Sequence, residues 1–395
     1  MRTPLYLKPS LAFGMIYVLA MAVSAAASFD SITLQTHALI LSLLLISLAI
    51  DFTVALWPAP APARVKFAAI YDYSSLLIWL LVLLLFTGFL FTLKTRLGQL
   101  GDYDSIQSLR MALIVGDLPS LPFPLSNVQS ASHALGIVLL VLAVRHFKTT
   151  VPFGLKLASV SSLLMSITIA MLEGNRASFI IISVQVFLIL GLSGRTPSFS
   201  KVLLTALILI VTFTLLQFYV RQNADGDDAS LIMDLVLRNV ASYISGGVVA
   251  FDKSFSGAAE VPPFILPVSG GVAALLGGSG AGEDVILPFL DLGNDTSGNV
   301  YTALFYIGFL HSMFVGYIAF ILLTLITSYY FRFSYRSNFA LLMASHMGVT
   351  FLLWPLSEYW LSLLPLMFRE VLLLIVLGKL AFRCRTTSGR AVLQQ

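Results

Sequence analysis

The sequence predicts an all-α polytopic membrane protein of about ten transmembrane helices. Its composition is 58% hydrophobic and 11% charged, whereas soluble domains carry about 25% charged residues, and its mean hydropathy is +0.93. The apolar residues gather in runs near the ~20 residues that a spanning helix needs. The short alternating segments of a membrane β-barrel do not occur, and a helix satisfies every backbone group within its own segment.

In chain order the apolar runs lie at 9–28, 36–56, 73–93, 129–147, 153–173, 176–193, 201–220, 300–328, 338–356 and 361–382. The first resembles a signal peptide, with Arg2 and Lys8 before an apolar core and Ala25-Ala26-Ala27-Ser28 after it; it is read as a retained first helix. Orientation follows from the basic residues. Arg2 and Lys8, Arg64 and Lys66, Arg145, Lys148 and Lys156, Arg195 and Lys201, Arg332 and Arg336, then Lys379, Arg383, Arg385 and Arg390 occupy alternate connections. These are 15 of the 23 basic residues, while almost all acids fall on the other side. Both termini are therefore expected to be cytoplasmic. This divides the chain into a seven-helix membrane region at 1–220, a large outward loop at 221–298, and a three-helix region with a cytoplasmic tail at 299–395.

A smaller outward loop spans 94–128. It ends in Leu118-Pro119-Ser120-Leu121-Pro122-Phe123-Pro124, and Ser105 to Val115 has the spacing of a surface helix. The large loop carries three basic residues, Arg221, Arg238 and Lys253, against ten acids. A helix is expected from Ser230 to about Tyr243, with Asp228 as cap. The run Gly270 to Gly278 is apolar but too short to span, as a re-entrant or interfacial segment would be. The single cysteine, Cys384, forms no internal disulfide.

Some side chains stand out chemically. Arg176 lies in the outward turn Glu173-Gly174-Asn175-Arg176 at a helix N-terminus, where the dipole and the guanidinium together suit phosphate. The alternatives are a Glu173–Arg176 pair or an arginine snorkelling to the headgroups. Arg221 and Arg238 share that face; Arg238 also follows Asp234 at the spacing of an ordinary helical ion pair. Arg369-Glu370 falls within or just at the edge of the last span. There a charge is either functional or merely interfacial. His311 and His346 fall within spans and read more readily as core histidines. Glu173, Asp252 and Glu358 are outward carboxylates, candidate bases or simply solvated.

Walker A, His-Glu-x-x-His and paired Cys-x-x-Cys motifs are missing, so ATP hydrolysis and zinc chemistry have no support in the sequence. No metal or other cofactor is expected. Nucleic acid is not an expected partner despite a pI near 9.1, because the basic residues are used for orientation.

Three segments resemble the Wzy-type O-antigen polymerases, also described as oligosaccharide repeat unit polymerases. Glu173 to Ser178 is similar to their G-x-R turn. Tyr243-Ile244-Ser245-Gly246-Gly247-Val248-Val249-Ala250-Phe251-Asp252 is similar to a segment of their large periplasmic loop. Asn299-Val300-Tyr301-Thr302-Ala303-Leu304 resembles the start of the span after that loop. The order matches across roughly residues 90–330. One departure is that Tyr306 to His311 contains no carboxylate, where family members often carry one.

The resemblance implies a GT-C-like enzyme of the bacterial inner membrane, working at the periplasmic face. A sugar hydroxyl of one undecaprenyl-pyrophosphate-linked oligosaccharide would attack the anomeric carbon of the growing chain, releasing undecaprenyl pyrophosphate. On this reading Arg176, Arg238, Glu173 and Asp252 are the catalytic candidates, and Arg221, Asn299, Tyr301 and Arg369 contact substrate. The arginines would hold pyrophosphate, and Glu173 or Asp252 would take the acceptor proton. A chain-length regulator is a partner implied by the family alone. The nearest rival is an O-antigen ligase, which usually relies on a histidine in the large loop; residues 221–298 contain none. A transporter or lipid flippase would require internal repeats or broken helices that are not evident. A ten-span acyltransferase would need a partner for His37, and the sequence offers no obvious one.

Overall fold

The computed structural model describes residues 8–58, 70–100, 121–147, 150–173, 177–194, 238, 241–259, 289–293, 296–299, 309–354 and 364–385. The protein is an all-α membrane protein with almost no sheet. Among the described residues, six helices are long and apolar enough to cross a membrane: α1 (Pro9–Ala26), α2 (Leu34–Leu56), α3 (Ser75–Leu100), α5 (Val128–His146), α6 (Phe153–Leu172) and α9 (Met313–Phe333). Shorter helices are α4 (Phe123–Ser126), α7 (Ala177–Leu192), α8 (Gly247–Phe255), α10 (Asn338–Leu352) and α11 (Leu364–Leu380). The expected span at 201–220, the surface helix at 105–115 and the run 270–278 lie outside the described residues.

Two helices depart from the apolar runs. α3 continues to Leu100 instead of ending near 93, so Lys94 and Arg96 belong to its last turns and not to a loop. The hydropathy falls at these charges, but the backbone ladder does not need apolar side chains to continue. Within the described part of the run at 300–328, α9 starts at Met313 and ends at Phe333; residues 300–308 lie outside the described residues. Ser312 is extended, with φ −161° and ψ 120°, which interrupts the chain ahead of it. His311 therefore sits exposed in the preceding turn and not within a span. His346 is buried in α10.

The chain separates into two compact units. The first draws on residues 1–55, 190–335 and 343–365. Within it α1 and α2 form an antiparallel hairpin against α9. Phe13 of α1 stacks on Trp354 at 4.8 Å and meets Phe320 of α9 edge-on at 5.6 Å. Asp51, late in α2, accepts hydrogen bonds from the Ser10 backbone N–H at 3.0 Å and from the hydroxyls of Ser10 and Ser328. One end of this bundle is thus tied by a single carboxylate across three helices.

At the other end of that unit, α8 follows a π-helical turn at Ser242–Gly246. Ser245 to Asp252, most of the segment that resembles the polymerase loop, is buried throughout. Asp252 accepts from the Thr33 N–H at 3.1 Å and its hydroxyl at 2.6 Å. Thr33 immediately precedes α2, so the carboxylate satisfies a donor at the start of that helix. Beside it a hairpin pairs β2 (Phe289–Gly293) with β3 (Thr296–Asn299). Gly293 has φ +86°, and a Cβ there would stand 2.8 Å from an Asp30 carboxylate oxygen. Glycine is required on both counts. Asp30 N–H bonds the Leu292 carbonyl at 2.9 Å.

The second unit draws on residues 56–189, 336–342 and 366–395. α5 is its centre, with 72% of its apolar window buried against 17% for α3. Gly136 of α5 lets α6 approach closely: a Cβ there would meet Leu163 at 2.5 Å, as small residues allow at membrane helix interfaces. Ser159 donates to the Gly136 carbonyl at 2.9 Å across the same contact. A second hairpin-like pair, β1 (Ile70–Tyr73) with β4 (Phe382–Arg385), is antiparallel and matches Tyr71 with Cys384. Phe382 stacks on His146 at 5.3 Å and on Tyr73 at 6.1 Å, which packs this strand pair against the end of α5. Neither strand pair has the length or alternation that a hydropathy reading detects.

Candidate functional site

In the second unit, the end away from the β1–β4 pair gathers polar side chains from five helices. Arg96 of α3 donates from Nε at 3.0 Å and Nη2 at 2.8 Å to one oxygen of Glu173, which caps the C-terminus of α6. Its Nη1 also reaches Gln99 at 2.9 Å. Arg96 is 7% exposed and Glu173 22%. The pair is internally neutral, and Glu173 is committed to a guanidinium that lies 77 residues earlier in the chain.

Arg369 is arranged differently. It lies half-buried in the second turn of α11 and donates from Nη2 to the side-chain oxygen of Asn127, just ahead of α5. Among the described residues no carboxylate pairs with it. Its neighbour Glu370 is directed elsewhere, fully buried, and accepts from Gln185 of α7 at 3.4 Å. Gln185 in turn meets His133 of α5 at 2.6 Å. Since the Gln185 amide nitrogen faces Glu370, its oxygen faces His133, which therefore donates from Nε2. Gln129 and Ser178 join α5 to α7 at 3.1 Å on the same end. Among the described residues, Arg369 meets a neutral amide, while the adjacent Glu370 turns to Gln185 in the interior.

In the first unit, Lys253 pairs with Asp30 at 2.5 Å and donates to the Asp291 carbonyl at 2.5 Å, which joins α8 to the connection between α1 and α2 and to β2. Its neighbour Asp252 is 4% exposed and held by Thr33. That burial places Asp252 as a structural acceptor at a helix start. His37, for which the sequence offered no obvious partner, has one: its Nδ1 meets the Tyr17 hydroxyl.

Of the residues expected at the site, Glu173 and Arg369 belong to the second unit, and Asp252, Arg238 and Asn299 to the first. Arg238 is half-buried with its Nε enclosed, and Asn299 closes β3 opposite Phe289. Arg176, Arg221, Tyr301, Asp234, Asp228 and Glu358 lie outside the described residues. Asn127, Arg96 and Tyr17 were not singled out in the sequence. A neutral Asn at a helix start and a Tyr within an apolar span carry no local signal of their partners. Among the described residues no group of three or more His, Cys, Asp or Glu side chains forms a metal site. The chain matches no family model, no curated protein and no solved structure.

Proposed function

We propose that the protein is a bacterial inner-membrane polysaccharide polymerase. It joins undecaprenyl-pyrophosphate-linked oligosaccharide units at the periplasmic face and releases undecaprenyl pyrophosphate. In this reading the chain has ten spans, both termini are cytoplasmic, and residues 221–298 face the periplasm. The observation that carries the reading is Arg369: a half-buried guanidinium in an apolar helix, bonded to a neutral amide with no carboxylate partner among the described residues. A cation in an apolar helix, opposed by no carboxylate among the described residues, supports an anion-binding role, and a planar guanidinium suits phosphate.

The anomeric carbon already carries a good leaving group, so the protein's part is to position two lipids and stabilise charge that develops on pyrophosphate. From the sequence, Arg176, Arg221 and Arg238 are proposed as pyrophosphate contacts, and Asn299 and Tyr301 as sugar contacts. An apolar groove of about 450 Å³ between α3 and α6, lined by Trp79, Phe86, Phe89, Leu164 and Met165, offers a prenyl chain a surface along the same helix that carries Arg96. Its aliphatic and aromatic walls support a lipid-linked substrate.

The positions of the connections support the orientation. In the first unit the 27–33 connection meets the 252–253 and 291–293 segments, as expected if all are outward, while Ser10, Asp51 and Ser328 meet at the other end. Deletion of the gene, with complementation by the wild-type or Arg369→Ala chain, tests the function. The wild type should restore long glycan ladders, and Arg369→Ala should leave single repeat units on the lipid. Unattached polymer accumulating in the deletion strain would instead indicate a ligase.

A further inference from the structure

In the second unit, α5, α7 and α11 are fastened to one another along every edge of a triangle. Gln129 of α5 donates from its amide nitrogen to the Ser178 hydroxyl of α7 at 3.1 Å. Gln185 of α7 donates to Glu370 of α11 at 3.4 Å and meets His133 of α5 at 2.6 Å. Arg369 of α11 closes the remaining edge on Asn127, just ahead of α5. These bonds form two layers. His133, Gln185 and Glu370 make the deeper one, and all are buried. Arg369–Asn127 and Gln129–Ser178 make the outer one, where α5 and α7 begin.

Helix geometry fixes where the outer pair looks. Gln129 stands one turn from His133 on α5, and Ser178 two turns from Gln185 on α7. Each therefore shares a helix face with a residue of the deeper layer. Those deeper residues turn to one another and to Glu370 inside the cluster. Gln129 and Ser178 thus sit on the faces that α5 and α7 present to the cluster, and not on faces turned to lipid.

Their hydrogen-bonding capacity is largely unspent. A glutamine amide has two N–H donors and an accepting oxygen, and a serine hydroxyl both donates and accepts. The side chains of Gln129 and Ser178 make only the bond to each other among the described residues. The Gln129 oxygen, one of its N–H groups and the Ser178 hydroxyl proton have no partner there. Gln185, one layer deeper, spends both ends of its amide, on His133 and on Glu370. Lipid offers such groups nothing. Their complement is a ligand rich in hydroxyls, each of which also donates and accepts.

We infer that Gln129 and Ser178 bind the sugar joined to the pyrophosphate of the donor lipid, with Arg369 on the phosphate beside it. This rests on the polymerase reading and deepens it. In a glycosyl pyrophosphate the first sugar is bonded directly to phosphate, so the contacts to the two groups must be near neighbours. Gln129 lies two residues along the chain from Asn127, which holds Arg369. The Gln129 oxygen accepts from one sugar hydroxyl, and the free N–H or the Ser178 hydroxyl donates to the next. The pair selects this sugar by its pattern of hydroxyls. Both are specificity residues and take no part in making or breaking the glycosidic bond.

The test uses purified full-length protein in proteoliposomes with one synthetic polyprenyl-pyrophosphate oligosaccharide and analogues that lack a single hydroxyl on the pyrophosphate-linked sugar. Released polyprenyl pyrophosphate is measured for each donor. The wild type should use at least one deoxy donor with kcat/KM about ten- to a hundredfold below the parent, since a polar group is then left unpaired in the site. Gln129→Leu should lower kcat/KM for the parent by a similar factor, mainly through KM, and bring the two donors to within about twofold of each other. Ser178→Ala should narrow the ratio in the same direction. A merely structural role would slow both donors equally and leave their ratio unchanged. An unchanged ratio in folded Gln129→Leu and Ser178→Ala overturns the inference, as does a wild type indifferent to every deoxy donor. If Gln129→Leu does not fold, the ratio in Ser178→Ala decides. A wild type that releases no polyprenyl pyrophosphate from any donor removes the polymerase reading, and the inference with it; turnover with an unchanged ratio in the variants removes the inference alone.

Discussion

Arg369 rests its guanidinium on the side-chain oxygen of Asn127, 242 residues away in the chain, with no carboxylate opposing it among the described residues. Arg96, by contrast, is neutralised by Glu173 at 2.8 Å in the same unit. Arg369→Ala should lower polymerisation by about 10²–10³-fold, as loss of one transition-state donor does. Arg369→Lys should recover only part of this, since a lysine keeps the charge but not the planar fork. Both are read from glycan ladders in a complemented deletion strain.

Asn127→Asp tests the same point in the opposite direction. It places a carboxylate against Arg369 where the wild type has a neutral amide. The chain should remain folded, since an aspartate at the residue ahead of a helix is well tolerated, yet polymer length should collapse as in Arg369→Ala. Long ladders from Asn127→Asp would mean that Arg369 holds no anion.

The Arg96–Glu173 pair should act through stability. Arg96→Met or Glu173→Leu alone leaves a charge without its partner and should cost on the order of 1–3 kcal/mol, below the range for fully enclosed pairs because Glu173 is 22% exposed. The double replacement should regain much of that loss. Thermal unfolding of the three variants in detergent gives the coupling directly.

Asp252→Ala should likewise behave as a lost helix cap. Removing the acceptor of the Thr33 N–H and hydroxyl should cost about 1–2 kcal/mol, visible as a lowered melting temperature. A Gly136→Ala chain should lose about 1–3 kcal/mol through the clash with Leu163, and the double variant with Leu163→Ala should recover part of it.

Much of the helical layout was legible in the sequence, and the reason is simple. Long apolar runs must become helices in lipid, so α1, α2, α5 and α6 fall within about two residues of the runs that announced them. What hydropathy missed was decided by single polar residues. α3 outlasts its apolar run because Arg96 finds Glu173 at the end of α6, and the extended backbone of Ser312 separates α9 from the residues just ahead of it. The candidate site was legible only as a list of side chains. The sequence pointed to Arg369 and Glu370 together as an intramembrane charge pair, yet one turns to Asn127 and the other to Gln185. The sequence offered a Glu173–Arg176 pair as the alternative to a phosphate site at Arg176, and it gave no sign that Arg96 meets Glu173. Tyr17 and His37 carry no local sign of each other, since their meeting depends on how α1 packs on α2.

The central claim is that Arg369, with no carboxylate opposing it among the described residues, serves a polyprenyl-pyrophosphate polymerase. The most direct measurement is release of polyprenyl pyrophosphate by purified wild-type and Arg369→Ala protein in proteoliposomes supplied with one synthetic lipid-linked oligosaccharide. The account predicts polymer growth matched by polyprenyl pyrophosphate release in the wild type, reduced about 10²–10³-fold in the variant at equal folded amounts. No release by the wild type, or equal release by both, would contradict it.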